Sequence, residues 1–519
     1  MTHHQPFFYI ARLVLETCTP LSIASGRTDG IADNLLVRDA NNLPAIPGSS
    51  LAGVLRHAYQ RHYDENGKST NTNALFGSAK NEDTGNPSCV HFSWGYLHNG
   101  KDIPIEGLLK PDDLRFQDKV VKDALQTTPI RRDHVKLNHR GASDTKNQGK
   151  FDRTSLTTGH RFSIELSLWS DEKNDPRWQQ LLDLLKRPDF RLGGGTRRGL
   201  GKLKIVRGCT GEFNLMKPEN ADESEEFKKF SELTQALTNN THLQPLKESK
   251  SLEPLPQISL ALTPLDGYGY RFGGGIEPLV NKQIEVDNQP ADLLAVTEHC
   301  VTWETGKGTL TKKKQIVIPA SSVKGAISHR VAYHYNILDG KFADKMSPEI
   351  YAECLGENNE AVQALFGYVK EKQNEKDKDI AQIGCLIFDD IYLDHKTRTS
   401  LKPVEYAHNS IDRFTAGVRE GALFFEEVLT DTQSFKLDIT VTLPLNENTK
   451  EWKITESEKE AKRANIRQAL HLTLTDLTEG RLALGAGGGR GHGYFRSELK
   501  YDKQWLELET DIHSKTAQS

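Results

Sequence analysis

Two ten-residue segments of this chain have a backbone suited to holding an anion. Leu192-Gly193-Gly194-Gly195-Thr196-Arg197-Arg198-Gly199-Leu200-Gly201 and Leu484-Gly485-Ala486-Gly487-Gly488-Gly489-Arg490-Gly491-His492-Gly493 both read L-G-x-G-x-x-R-G-x-G without a gap. Glycines tolerate positive φ and let a ligand approach the main chain. With Arg197, Arg198 and Arg490 beside them, the N–H groups can contact a phosphate chain as backbone nests do. Gly193, Gly195, Gly199, Gly485, Gly487 and Gly491 are the main candidates. A dinucleotide fingerprint is excluded, because these glycines follow a predicted helix and precede a predicted strand. A P-loop is excluded, because no Gly-Lys-Ser/Thr opens a helix. The remaining alternative is a plain positive-φ turn. So many glycines with an arginine, twice, favour nucleic-acid contact over it.

Charge distribution points the same way. The net charge is −4, yet 131–161 carries eight Lys/Arg against three Asp, and 186–204 carries seven against one. Arg131, Arg132, Lys136 and Arg140 would form a footprint for phosphates. A solvated loop surface fits the charge count equally well. The six cysteines form no C-x-x-C pair, which argues for reduced thiols in a cytoplasm and against zinc. The eighteen histidines form no metal constellation, and His57 and His329 read as structural helix-face residues. No stretch is long and apolar enough to span a bilayer, and the N-terminus lacks the order of a signal peptide.

The elements around the two loops repeat as well. Ile46-Pro47-Gly48-Ser49-Ser50-Leu51 recurs as Ile318-Pro319-Ala320-Ser321-Ser322-Val323, and Ala74-Leu75-Phe76-Gly77 as Ala364-Leu365-Phe366-Gly367. In the first copy, strands are predicted at 8–16, 89–97, 162–169 and 203–206. Ser49 and Ser50 would cap a first helix, and Asp175-Pro176 would open a second. In the second copy, strands are predicted at 258–262, 385–393 and 435–443. Ser321 and Ser322 would cap one helix there, and Ile466, Ala469, Leu470, Leu474 and Leu477 stripe the other. The order βαββαβ predicts an α+β chain of two tandem RRM-like, ferredoxin-like domains. Their expected bounds are 1–211 and 258–501. An acidic linker at 212–257, with one short helix at about 227–237, and a tail at 502–519 complete the chain.

The loop signature, together with IPGSSL opening the first helix, resembles the RAMP superfamily of CRISPR proteins. Asp33-Asn34-Leu35-Leu36-Val37-Arg38-Asp39, then Leu43-Pro44 and IPGSSLAGVLR, resembles the backbone subunits of type III effector complexes. Two such units in one chain look like the fused backbone subunits of type III-D systems. The resemblance implies a protein that lines up along CRISPR RNA, beside other RAMP-type effector subunits. It would push a thumb hairpin from each unit through the guide–target duplex and cut complementary target RNA beside each thumb. Protein would hold shape while base pairing reads sequence.

On this resemblance the cutting residues are Asp33 and, by the match of 291–296 to 32–37, Asp292, with Asp287 as fallback. A divalent metal, Mg or Mn, would act with them. The thumbs would occupy 105–161 and about 395–434. Arg413 and the exposed Phe414, or Phe424, would wedge between bases or pack within the hairpin. Ser49, Ser50, Ser321, Ser322 and Lys324 would lie along the RNA. The alternatives are a guide-binding scaffold that does not cut, a guide-processing endoribonuclease, and an RRM-like binder outside CRISPR.

Overall fold

The computed structural model describes residues 5–28, 34–64, 70–78, 85–138, 142–143, 149–215, 225–233, 236–247, 255–265, 267–279, 291–347, 351, 354–370, 380–393, 403–443, 445, 449 and 452–501. Asp33, Asp287, Arg140 and the tail at 502–519 lie outside these residues. Within them the chain is mixed α+β, with antiparallel sheets.

In the first half, the central strand β1 (Phe7–Thr17) is buried along its whole length. That burial explains its near-continuous apolar sequence, since both faces of the sheet are covered. Helix α1 is Gly48–Tyr63, β2 is Val90–Phe92, and a separate ribbon pairs β3 (Ile130–Val135) with β4 (Lys150–Ser155). Then come β5 (Arg161–Ser170), helix α2 (Pro176–Lys186) and β6 (Leu203–Asn214). The sheet order is β2-β5-β1-β6. Leu51, Leu55 and Tyr59 of α1 and Leu181, Leu182 and Leu185 of α2 pack with Phe162, Ile164, Leu166 and Leu168 in one core.

The second half repeats the plan. Strand β7 (Gln257–Pro264), helix α3 (Ala320–Leu338), β8 (Leu386–Phe388), a ribbon of β9 (Pro403–His408) and β10 (Phe424–Leu429), β11 (Phe435–Val441), helix α4 (Glu456–Thr478) and β12 (Phe495–Arg496) follow in order. The sheet order is β8-β11-β7-β12. The predicted stripe of α4, Ile466 to Leu477, is fully buried against β7 and β11 residues.

Three expectations need correction. Ser49, Ser50, Ser321 and Ser322 are not caps: Pro47 and Pro319 hold the N-cap positions, with no side-chain cap bond. For α3 the first N–H, that of Ala320, is instead taken by a carboxylate remote in sequence, Asp390 Oδ1, at 2.8 Å. The strand predicted at 385–393 is two. Leu386–Phe388 belongs to the main sheet, while Ile391–Leu393 turns away to pair with Gln315–Ile318. Finally, β6 runs well past Val206, and the helix Glu225–Glu232 stands against it. Phe230, Leu233 and Leu243 from the expected linker cover Phe8, Ile10 and Phe213 on the reverse face of the first sheet. Apolar side chains on that face need a cover, and the linker supplies it.

Candidate nucleic-acid interface

Both glycine loops fold alike, down to single hydrogen bonds. Gly193, Gly195, Gly199 and Gly201 have positive φ, and so do Gly485, Gly487, Gly491 and Gly493 at the matching positions. The N–H groups of Leu192, Gly194, Arg198, Leu200 and Gly201 donate to Gly201, Ser22, Gly195, Gly195 and Pro20. Those of Leu484, Ala486, Arg490, His492 and Gly493 donate to Gly493, Arg271, Gly487, Gly487 and Gly269. Space also demands glycine. A Cβ on Gly193 would lie 2.3 Å from Ser22 O, and one on Gly201 would lie 2.0 Å from Leu192 O. The positive-φ turn weighed as an alternative therefore accounts for much of the glycine pattern, and several of the N–H groups are internally bonded.

The loop arginines reach the roots of the two ribbons. In the first unit the ring of His134 stacks on Phe151, with centroids 5.0 Å apart and an interplanar angle of 19°. The Arg198 guanidinium lies over the same Phe151, 5.3 Å from its centroid. In the second unit His408 stacks on Phe424 at 4.8 Å and 25°, with Arg490 5.9 Å over that ring. His134 stands opposite Phe151 in one ribbon as His408 stands opposite Phe424 in the other. These His–Phe–Arg stacks are a repeated feature that the sequence reading missed. The signal was available only through the cross-strand register, which places residues about sixteen positions apart in contact.

The stacks differ in their next neighbour. Leu156 and Leu429 bridge to Leu21 and Tyr270 at the base of each ribbon, so Arg153 and Glu426 are counterparts. Glu426 is buried. Its oxygens accept from Arg271 Nε at 3.0 Å and Arg490 Nη2 at 2.6 Å, and His408 Nε2 lies 3.1 Å away. Burial alone would raise its carboxyl, but those arginines hold it below the usual range. Arg153 has no such counter-ion. Burial and the neighbouring Arg198 both push its guanidinium down, and burial does the same to Arg198. Burial, with Arg198, Arg132 and Arg153 around it, lowers His134 to about 4.

Two further cations converge here from the joint between the units. Burial, with Arg198 and Arg197 nearby, pushes Lys324 of α3 down to about 8, and its Nζ donates only to Phe366 O at 3.1 Å. Arg197 is pushed down to about 10 by burial and by Arg61 and Arg191, and it donates to Thr442 Oγ1 at 2.9 Å. Arg153, Arg197, Arg198 and Lys324 thus share a half-buried hollow in which none is paired with a carboxylate among the described residues. Partly desolvated cations packed together raise the free energy of the free protein, and a bound polyanion relieves it.

The joint itself is fixed by charge. Arg132, expected on the RNA face, is instead buried. It donates to Glu298 at 2.6 and 2.9 Å and to Asp390 at 2.5 Å, and Tyr392 donates to Glu298 at 2.8 Å. Burial opposes the Arg132 charge, but Asp390 and Glu298 outweigh it and raise the guanidinium well above its ordinary value. Asp389 binds Arg191 and, at 2.7 Å, Lys202. Gly159 and Gly199 let the halves meet: a Cβ would lie 1.9 Å from Val301 O and 2.5 Å from Asp390 Oδ1, respectively.

The other expected residues fall as follows. Arg131 pairs with Asp152 at 2.8 Å, and Lys136 with Glu357 at 2.9 Å. Arg413 and Phe414 are exposed at the far end of the second ribbon, with Phe414 98% exposed. Asp292 is exposed and accepts the N–H of Phe425 at 2.8 Å, which puts it at the root of that ribbon. Among the described residues no group of three or more His, Cys, Asp or Glu could hold a metal ion, and no helix is long and apolar enough to cross a membrane.

Comparison with known proteins gives the family. The family model described as the RAMP superfamily matches residues 14–204 and 305–496, one match in each half of the fold. The chain belongs to the RAMP superfamily. Its two RAMP units coincide with the two copies read from the sequence. No curated protein matches. One solved structure, described as the cryo-EM structure of the Type III-B Cmr-beta bound to cognate target RNA, shares 16% identity at a TM-score of 0.27. The match takes in 39% of this chain and 60% of that one, so this RAMP protein spans less than two thirds of that chain's length.

Proposed function

We propose that this RAMP protein is a double backbone subunit of a CRISPR type III effector complex, which holds guide RNA and cuts complementary target RNA beside each unit. The observation that carries the reading is the hollow of Arg153, Arg197, Arg198 and Lys324, cations without carboxylate partners at the joint of two RAMP units. Phosphates would pass there, and His134 and Phe151 offer a flat face beside them for a base. Each unit is read as an RRM-like βαββαβ domain, a reading supported by the matching strand orders β2-β5-β1-β6 and β8-β11-β7-β12. The ribbons β3–β4 and β9–β10 are read as the thumbs, with Arg413 and Phe414 at the tip of the second. The units are taken as 1–211 and 258–501.

Asp33 and Asp292 are the proposed cutting residues. Asp292 is exposed at a ribbon root, beside the nucleotide that a thumb would displace. Mg²⁺ is commonly held by one or two carboxylates, with substrate phosphates completing its shell, so a lone exposed carboxylate fits a metal that arrives with RNA. Bound there, such an ion would supply Lewis-acid stabilisation of the phosphate under attack. The protein's own part is to hold backbone and register, so that the scissile link falls beside Asp292. A second reading, a scaffold that does not cut at the second unit, is favoured by one fact: Asp292 already serves as an acceptor for the Phe425 N–H.

The test is target cleavage by the purified complex, mapped at single-nucleotide resolution. Asp33→Ala should remove one cut, and Asp292→Ala another at a fixed spacing, with target binding retained. An unchanged pattern in both variants would leave the scaffold reading. Loss of the Asp33 cut alone would confine cutting to the first unit.

A further inference from the structure

The joint between the units is a worked example of one RAMP unit seated on another, and each outer face of the chain carries half of that arrangement. In the joint, the first unit's glycine loop fills a hollow of the second. Gly199 comes against Ala320 at the start of α3 and bridges to Asp389, and Arg197 reaches Thr442. The first unit has the matching hollow. It lies between the start of α1 and β2, measures about 360 Å³, and is lined by Gly48, Ser49, Ala52, Arg56, His91 and Phe92 among others. Its register matches as well. Ile46 bridges to Gly95 as Ile318 pairs with Ile391, and Trp169 N bonds Cys89 O as Thr442 N bonds Cys385 O. At the opposite end of the chain, the loop 485–493 repeats the loop that does the filling.

We infer that the hollow on the first unit receives the second unit's glycine loop from another copy of this chain, in a head-to-tail contact. The residues at the outer faces support a copy as the occupant, because they change together. By the registers above, Asp389 and Asp390 correspond to Ser93 and Trp94, and Thr442 to Trp169. On the loop side, Arg191, Arg197 and Lys202 correspond to Ala483, Gly489 and Tyr494, and Arg132 to Tyr406. Each carboxylate missing from the receiving face is matched by a cation missing from the donating face. Where Arg132 meets Asp390 inside the chain, Tyr406 would meet Trp94, and these two rings are 38% and 45% exposed. Neutral groups face neutral groups, with no unpaired charge buried. An aromatic pair can replace an ion pair in this position. The contact is heterologous and so does not close on itself.

The contact needs no RNA, so its test is independent of the RNA-binding reading. Sedimentation velocity of the full chain without RNA should show self-association at about 1–100 µM. The association should change little with salt, because no ion pair forms across it. Trp94→Asp should weaken it at least about tenfold. Adding Tyr406→Arg to Trp94→Asp recreates the internal pair between chains and should restore it. Both positions are exposed, so unchanged melting temperatures would certify folding. A chain that stays monomeric over this range overturns the proposal. So does association that Trp94→Asp leaves intact, or that the double variant fails to restore. Guide-RNA binding by the same variants is expected to be unchanged, and its loss would bear on the RNA reading alone.

Discussion

The two ribbon roots are built from the same three residue types and differ in one charge. His134, Phe151 and Arg198 meet Arg153, whereas His408, Phe424 and Arg490 meet Glu426. The second root is internally neutralised, with Glu426 held between Arg271 and Arg490. The first is left cationic and receives Lys324 from the neighbouring unit as well. Duplication therefore preserved a stacking platform while electrostatics separated the copies. The first root is suited to attract a polyanion, and the second to hold its ribbon in place.

The largest effect should come from the residue that ties the first ribbon to the second unit. Arg132→Ala leaves Glu298 and Asp390 buried without their partner and should cost about 3–5 kcal/mol, read by denaturant unfolding. Tyr406→Ala, at the counterpart position, should stay within about 0.5 kcal/mol, since its ring is partly exposed. Equal losses in the two variants would remove the distinction between a locked and a free ribbon.

Glu426→Gln sharpens the contrast at the second root. It leaves Arg271 and Arg490 without a counter-charge and should cost about 1–3 kcal/mol. The freed cations should also make RNA binding more salt-sensitive. A melting temperature equal to that of the parent would mean that the second root does not depend on its carboxylate.

A smaller change is expected for Arg153→Ala. RNA affinity should fall several-fold regardless of sequence, and the slope of log affinity against log salt should flatten by about one unit. An unchanged slope in a binding titration would take Arg153 off the RNA path.

The smallest effect is a pH dependence. Folded His134 takes a proton only near pH 4, whereas an unfolded histidine does so near 6.5. Between these values the unfolded chain binds more protons, so stability should fall as pH drops from 6.5 towards 4. His134→Phe should reduce that fall in melting temperature, and equal pH profiles would count against the burial of this imidazole.

What could be read from the sequence follows the range of each interaction. The glycine loops and the α4 stripe were legible because a turn and a helix write their requirements within ten to twenty residues. The serine caps were misread because the group that takes the Ala320 N–H is Asp390, 70 residues on. Arg132 read as a surface cation because its partners, Glu298 and Asp390, lie 166 and 258 residues away. The His–Phe stacks were invisible for a related reason: a ribbon's register is set by pairing, not by local composition. Lys324, by contrast, was singled out from the sequence and lies in the cationic hollow.

The buried pair between Arg132 and Asp390 also sets a schedule for making this protein. The two residues are separated by 258 positions of chain. At about 5–20 residues per second, synthesis reaches Asp390 roughly 10–50 s after Arg132 has left the ribosome. During that interval the first unit can form its own core, but its ribbon carries a cation whose final burial site does not yet exist. The first RAMP unit must therefore wait, folded but unlocked, until the second is synthesised. An early stop codon would leave that unit without the carboxylates that complete it.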